Sequence, residues 1–394
     1  MREIIQIYKI YGIIFMLLEN FVMEGFMSEV LIEKDLEIKD ILLKRDFIKL
    51  NSNTLKTMSV ILDKIYETTE ELYEDRENIY SNDDAYDLLK SKIFACKTSI
   101  KYWSIGPVDN EENIEILKSI IESWDFYNKN NIKDLEPNIK NNSLDIPTAY
   151  TCIKVEENTY LLRFIVPCGN KRNDDGVSNE KIKQYKNVVC FININKGYVE
   201  IRTEPTYADR IKEVLTYRHN LRGIANVVIL RHFNNNIENF KDSFENAKLI
   251  SSKSIPEFDF DISEEDSEML VNVLLILEDF IDNKDESILE DLKNVNFDDN
   301  SNGFIPLLLA GLCSIGFSTR KTDCRDITNQ PMYKIIEPYL NHQIGKLRVT
   351  EVETGNTYSI QISMKRNSIL FQSELTNESF IEAVRNKLLN IKEE

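Results

Sequence analysis

Hydrophobic residues at helical spacing dominate the first third of the chain. Leu55, Met58, Leu62, Ile65 and Leu72 recur at steps of three, four and seven residues, as on one face of a helix. Further helices are predicted after two residues that can cap a helix N-terminus, and the first of these helices carries Ile100 on its apolar face. These caps are Asn82 and Asp109. Residues 27–143 are therefore predicted to form a mainly helical part.

The period of the pattern changes from helical to alternating in the middle of the chain. Residues 150–155 and 159–166 flank a short polar turn, and residues 187–195 and 198–203 flank Lys196-Gly197. Both pairs are typical of β-hairpins. A helix beginning at Thr206 and a strand over 225–230 follow. This succession predicts a mixed α+β unit over residues 144–255.

The last third is predicted to begin with helices and to end with a small sheet. Apolar residues cover most of the circumference of a helix after Ser263, which indicates burial on several sides. A second apolar helix is predicted over 304–317. Alternation over 346–353, 358–364 and 368–372 predicts three antiparallel strands, and a helix from Thr376 closes the chain. Residues 256–394 thus form the third part of a multi-domain α+β protein.

The first 26 residues leave two interpretations open. The apolar run 13–18 is much shorter than the ~20 residues that cross a bilayer, so we predict no membrane segment there. Residues 1–26 are either a translated leader ahead of a physiological start at Met27, or an amphipathic N-terminal helix. The codons for Met23-Glu24-Gly25 are able to spell a ribosome-binding sequence, which favours the leader.

The amino-acid composition indicates where the protein is located and what kind of organism it comes from. The chain has 394 residues, 42% of them hydrophobic, which is ample for several cores. Six cysteines without a CxxC pair predict reduced thiols in a cytoplasm, with no disulfide framework. Heavy use of Asn, Ile and Lys suggests a bacterium or phage with an AT-rich genome. The lack of housekeeping motifs suggests a conflict or antiviral defence system.

Charge is distributed unevenly along the chain. The formal net charge is −18, yet residues 151–235 carry 14 Lys and Arg against 9 Asp and Glu. Residues 256–300 hold 16 acids against two lysines. Such a basic segment in an acidic chain indicates either a contact surface for an anionic partner or internal docking against residues 256–300.

The candidate binding residues are the cations of this basic middle. Their side chains bind phosphate oxygens through charge-assisted hydrogen bonds, and the rings of Tyr185, Tyr198 and Tyr217 are candidates for stacking on bases. The predicted partner is therefore nucleic acid or an acidic protein surface, within a complex and away from membranes. The predicted contact residues are Lys171, Arg172, Lys183, Arg202, Arg210, Arg218 and Arg222.

Catalytic and metal-binding motifs are mostly missing from the sequence. There is no phosphate-binding loop, no nucleophile elbow and no HExxH among His219, His232 and His342. The stretch 298–309 begins like a calcium loop but ends on Leu309, and an alternating acidic run at 257–261 is typical of an edge strand. We therefore predict no metal ion and no cofactor.

Two functions follow from the sequence. The first is a non-catalytic cytoplasmic binding or assembly subunit whose basic unit contacts an anionic partner. The alternative is a Mg²⁺-dependent nuclease or phosphoester hydrolase, which needs clustered carboxylates and a charge-stabilising lysine. Its candidates are Asp174, Asp175, Glu180, Lys183 and Glu200.

Overall fold

The protein is described here from a computed structural model. The structure describes residues 36–106, 111–124, 131–174, 179–257, 264–283, 313–319, 325–352 and 354–391. Several sequence predictions lie outside these ranges: the leader, the Asp109 cap, Asp175, the acids Asp259 and Asp261, the calcium-like loop and most of the helix predicted over 304–317. The α+β class is confirmed.

The described residues form twelve α-helices, eleven strands and several short 3-10 helices. The helices are α1 Lys44–Ile48, α2 Ser52–Ile61, α3 Thr69–Glu74, α4 Arg76–Tyr80, α5 Asp83–Phe94, α6 Glu111–Glu122, α7 Asn131–Lys140, α8 Pro205–Tyr217, α9 Ile237–Asp242, α10 Glu264–Asn283, α11 Pro331–Ile336 and α12 Glu378–Leu389. The strands are β1 Ser99–Ser104, β2 Thr148–Glu156, β3 Thr159–Asp174, β4 Asn179–Asn193, β5 Tyr198–Arg202, β6 Ala225–Asn226, β7 Ala247–Pro256, β8 Ile315–Ser318, β9 Leu340–Thr350, β10 Thr357–Ser363 and β11 Ser368–Phe371.

The chain folds into two compact units that interleave along the sequence. Of the described residues, the first unit contains those within 36–42, 105–197 and 210–223, and the second contains those within 43–104, 198–209 and 224–391. This division differs from the three contiguous parts predicted above, because strands β9 to β11 pair with β7 and β1 from earlier parts of the chain. Strand pairing, rather than sequence proximity, therefore defines the larger unit.

The first unit is built on the antiparallel strands β2, β3 and β4. Residues 159–167 of β3 are buried without interruption, as expected for a strand covered on both faces. Helix α6 contacts this sheet, since the hydroxyl of Tyr160 donates to the carboxylate of Glu122 at 3.0 Å. The Trp124 indole donates to the backbone oxygen of His219 at 3.0 Å and ties the end of α8 to the same unit.

The second unit is a wider antiparallel sheet with strand order β5-β1-β11-β10-β9-β7-β8, and β6 pairs with β1. Helices α9 and α12 share one apolar core with its strands. The ring of Phe380 in α12 stacks on Tyr358 of β10 at 3.9 Å between centroids. The predicted C-terminal sheet and closing helix are confirmed, but they belong to a larger sheet.

Two strands were not predicted from the sequence, each for a different reason. Strand β1 has four successive buried residues, Ile100 to Trp103, so it shows no alternation, and Ile100 had been assigned to a helix. Strand β7 carries serines and lysines, which weaken its apolar pattern. The helix predicted through Leu72 is in fact two, because the Thr68 side chain accepts from the Glu71 N–H and begins a new helix, α3.

Helix α10 is confirmed, but its predicted burial on several sides is not found. Val273 is 4% exposed, whereas Val271, Leu274, Leu275 and Ile281 are 43 to 68% exposed in the described part of the chain. The apolar residues around this helix therefore leave it with an exposed hydrophobic surface instead of burying it in a core.

The N-cap of α12 gives a test of the second unit. Asn377 accepts a hydrogen bond from the Phe380 N–H at 2.9 Å. We expect Asn377→Ala to lower the free energy of unfolding by about 1 kcal/mol, since one helix donor loses its partner. Urea unfolding followed by circular dichroism measures this. Asn377→Asp keeps an acceptor and is the control; equal losses in both variants would contradict the capping role.

Candidate functional site

A two-stranded β-ribbon carries three of the seven predicted basic contact residues, Lys171, Arg172 and Lys183. Strand β2 pairs with β3 only as far as Ile165, whereas β3 and β4 remain paired out to Asp174 and Asn179. The register shifts between Pro167 and Gly169, which marks a bulge at the base of this extension. We call residues 166–174 and 179–186 the basic ribbon.

One face of the basic ribbon collects cations from both strands. Arg172 lies directly opposite Lys181, and Asn170 lies directly opposite Lys183. Residues two apart on a strand share a face, so Arg172, Lys181 and Lys183 point to the same side. Lys171 points to the other side, opposite Ile182. Lys171, Arg172 and Lys181 are all exposed.

The base of the ribbon is fastened by two other predicted contact residues. The Lys183 ammonium pairs with the Asp145 carboxylate. The half-buried Arg210 guanidinium donates to the backbone oxygens of Pro167 at 3.1 Å and of Asp145 at 3.0 Å. Arg210 therefore holds the bulge in place, a structural role that the sequence did not indicate.

Arg218 and Arg222 have different surroundings from the ribbon. Both are exposed beyond or near the end of α8, and the Arg222 Nε donates to Asn220 Oδ1 at 2.8 Å. Arg222 also lines a cleft of about 450 Å³ whose wall includes Ile116, Leu117 and Ile120 of α6. Gly106 and Gly223 approach closely there, because a Cβ on Gly223 would lie 3.3 Å from Gly106.

Arg202 lies in the interior of the second unit, which removes it from the predicted contact surface. Its side chain is 2% exposed and pairs with Glu200 at 2.6 Å and with Glu378 at 2.6 Å. It also donates to the backbone oxygen of Phe94 at 2.6 Å. A second arginine, Arg385, pairs with the other Glu200 oxygen at 2.8 Å. Glu200, Arg202 and Arg385 form a buried ion cluster, and the half-exposed Glu378 borders it.

Glu200 is the centre of this cluster. Burial alone would raise the pKa of Glu200, but the charges of Arg202 and Arg385 outweigh it and hold that pKa below its ordinary value. The carboxylate thus stays ionised and is occupied by two guanidinium groups. Glu200 is therefore not placed to bind Mg²⁺, as the hydrolase alternative needs.

The three aromatic rings predicted to stack on bases also differ in their exposure to solvent. Tyr185 and Tyr198 are 6% and 5% exposed, so neither ring is offered to a ligand. Tyr217 is 82% exposed and stands next to Arg218 in the chain. Stacking on bases is therefore limited to Tyr217 among these three.

A group of polar side chains that the sequence did not bring together lies in the second unit. Glu238, Glu337 and His342 place one potential ligand atom each within 4.8 Å of one another. Ser252 and Ser254 lie on the other side of the His342 ring, each 3.0 Å from Nδ1. Glu337 and His342 are five residues apart, a spacing of no known motif, so pattern reasoning had no signal for this group.

Comparison of the sequence with protein-family models and with curated proteins found no match. Within the described ranges, no helix is both long enough and apolar enough to cross a bilayer.

The buried ion cluster yields a stability prediction. Glu200→Gln leaves Arg202 and Arg385 buried with one carboxylate fewer, so we expect a loss of about 3 to 5 kcal/mol in the free energy of unfolding. The control is Glu382→Gln, because Glu382 is 46% exposed and lies 3.6 Å from Arg385. That change is expected to cost less than about 1 kcal/mol. Denaturant unfolding measures both; similar losses would rule out the central role of Glu200.

The stability difference between the wild type and Glu200→Gln is predicted to depend on pH. The folded-state pKa of Glu200 is lowered, so its stabilising effect is present above the unfolded carboxyl pKa of about 4.3. That effect disappears as the pH falls through the folded-state value. The stability difference between wild type and Glu200→Gln should thus be largest above about pH 5 and shrink in acid. A difference that does not change with pH would contradict the pKa assignment.

Proposed function

We propose that the protein is a non-catalytic cytoplasmic binding subunit that contacts nucleic acid through the basic ribbon. The observation that carries this proposal is the placement of Arg172 directly opposite Lys181 on an exposed face. Like charges opposite each other on neighbouring strands destabilise a sheet. A bound polyanion removes that cost, so the pair favours a phosphate ligand.

The shape of the ribbon supports a duplex rather than a single strand. A two-stranded β-ribbon fits the major groove of B-DNA. The exposed cations on one face of the ribbon are Arg172 and Lys181, whereas Lys183 on that face is paired with Asp145. Burial of Tyr185 and Tyr198 favours phosphate contacts over base stacking. Contacts of this kind position a protein on the backbone and carry no sequence information by themselves.

The acidic remainder of the chain confines such contacts to the ribbon. A net charge of −18 repels a polyanion, but salt screens this repulsion over about 8 Å at physiological ionic strength. The exposed Arg172 and Lys181 are therefore able to approach phosphates despite the net charge of the chain. Binding is therefore expected to be moderate and strongly dependent on salt.

An anisotropy titration with a short labelled DNA duplex, and separately an RNA duplex, tests the proposal. Arg172→Glu combined with Lys181→Glu is expected to weaken binding at least about tenfold. It should also reduce the slope of log affinity against log salt by about 2, at roughly 0.9 per lost phosphate contact. Both residues are exposed, so the fold should be retained.

The matched control is Lys365→Glu combined with Arg366→Glu. This pair is exposed at the β10 to β11 turn and makes the same change in total charge. Equal losses in the two double variants would mean that net charge alone matters, and the ribbon would not be the contact. Failure of the wild type to bind either duplex at low salt would overturn the nucleic-acid proposal in favour of an acidic protein partner.

A further inference from the structure

Three elements of the second unit bring acidic and imidazole groups together. Glu238 lies in the first turn of α9, Glu337 begins the 3-10 helix that follows α11, and His342 lies in β9. Their ligand atoms lie within 4.8 Å of one another, and the His342 Nε2 is 4.0 Å from a Glu337 oxygen. The group draws on residues that are more than a hundred positions apart in the sequence.

The His342 ring is held in place through Nδ1, but its other nitrogen, Nε2, has no hydrogen-bond partner within the described residues. His342 is 5% exposed, and its Nδ1 lies 3.0 Å from the hydroxyls of both Ser252 and Ser254. Its Nε2 is likewise buried. The Glu238 carboxylate lies within hydrogen-bonding reach of the Tyr333 hydroxyl. A buried polar atom without a partner is costly, so the His342 Nε2 favours a ligand at this position.

The chemistry of the group also favours a cation. Glu238 and Glu337 bring two carboxyl groups to the buried imidazole of His342. The Tyr333 ring stacks on that imidazole at 6.3 Å and closes one side of the group.

We propose that Glu238, Glu337 and His342 bind a divalent transition-metal ion such as Zn²⁺ or Mn²⁺. One imidazole nitrogen and two carboxylate oxygens suit these ions better than Mg²⁺ or Ca²⁺, which take oxygen ligands. Bonds of about 2.0 to 2.2 Å require ligand atoms about 3.3 Å apart, so small side-chain rotations close the site. The serines orient the ring, as outer-shell partners of metal-bound histidines do.

The fold fixes the positions of these ligands. A Cβ on Gly345 would lie 2.7 Å from Ile237, so this glycine lets the start of α9 pack directly on β9. Glu238 follows Ile237 and is thereby carried toward His342. The Glu337 side chain is 31% exposed, which gives the ion a route of entry and leaves room for water to complete its coordination.

The test uses the purified full chain after treatment with a chelator and dialysis. Titration with Zn²⁺ and with Mn²⁺ by calorimetry should show about one high-affinity ion per chain, confirmed by elemental analysis. Glu337→Gln and Glu238→Gln should each weaken binding at least about tenfold. The control Glu245→Gln removes an exposed acid close to α9 and should bind like the wild type. Circular dichroism establishes that each variant is folded.

A second measurement separates the proposed site from other ligands. Bound metal should raise the melting temperature of the wild type and of the control, but not that of Glu337→Gln, because only a native-state site is stabilised. Alkylation of the cysteines should leave Mn²⁺ binding unchanged, since none of the three ligands is a thiol. Binding lost on alkylation, or equal in Glu337→Gln and wild type, would overturn the proposal.

Discussion

The second unit depends on the ionised carboxylate of Glu200 in its interior. Glu200 is wholly buried and holds Arg202 of the same strand and Arg385 of α12. Arg202 in turn reaches the last residue of α5 through the Phe94 oxygen. The Glu200 carboxylate thus links strand β5 to helices α12 and α5 through the two arginines. Both guanidinium groups are buried together with this carboxylate. Such a cluster ties the elements to one arrangement, because any other packing would leave charges buried without partners.

Cations of the basic middle thus have two quite different roles. Arg202 neutralises a buried acid, and Arg210 fastens the base of a ribbon by donating to backbone oxygens. Arg172 and Lys181 instead face each other at the surface. Only the last arrangement carries an unfavourable interaction that a ligand relieves. The surplus of positive charge along the sequence is therefore smaller at the surface than its count suggests.

The basic ribbon and the His342 group lie in different units, and they suit ligands of opposite charge. The ribbon offers exposed surface cations, which suit an extended polyanion. The His342 group offers a fixed imidazole and two carboxylates at a partly open position, which suit a small cation. Pairing of β3 with β4 forms the ribbon, whereas packing of α9 on β9 and pairing of β9 with β7 bring the His342 group together.

The sequence by itself determined the elements whose pattern reflects local surroundings. Alternation placed the hairpins of β2 with β3 and of β9 with β10, and the Asn82 cap of α5 is confirmed by its bond from the Ala85 N–H. Only the tertiary structure decided that β1 is a central strand, that Arg202 is buried and that His342 meets Glu238. A strand buried on both faces loses its alternation, and the environment of a charged side chain depends on partners distant in sequence. Local pattern carries neither kind of information.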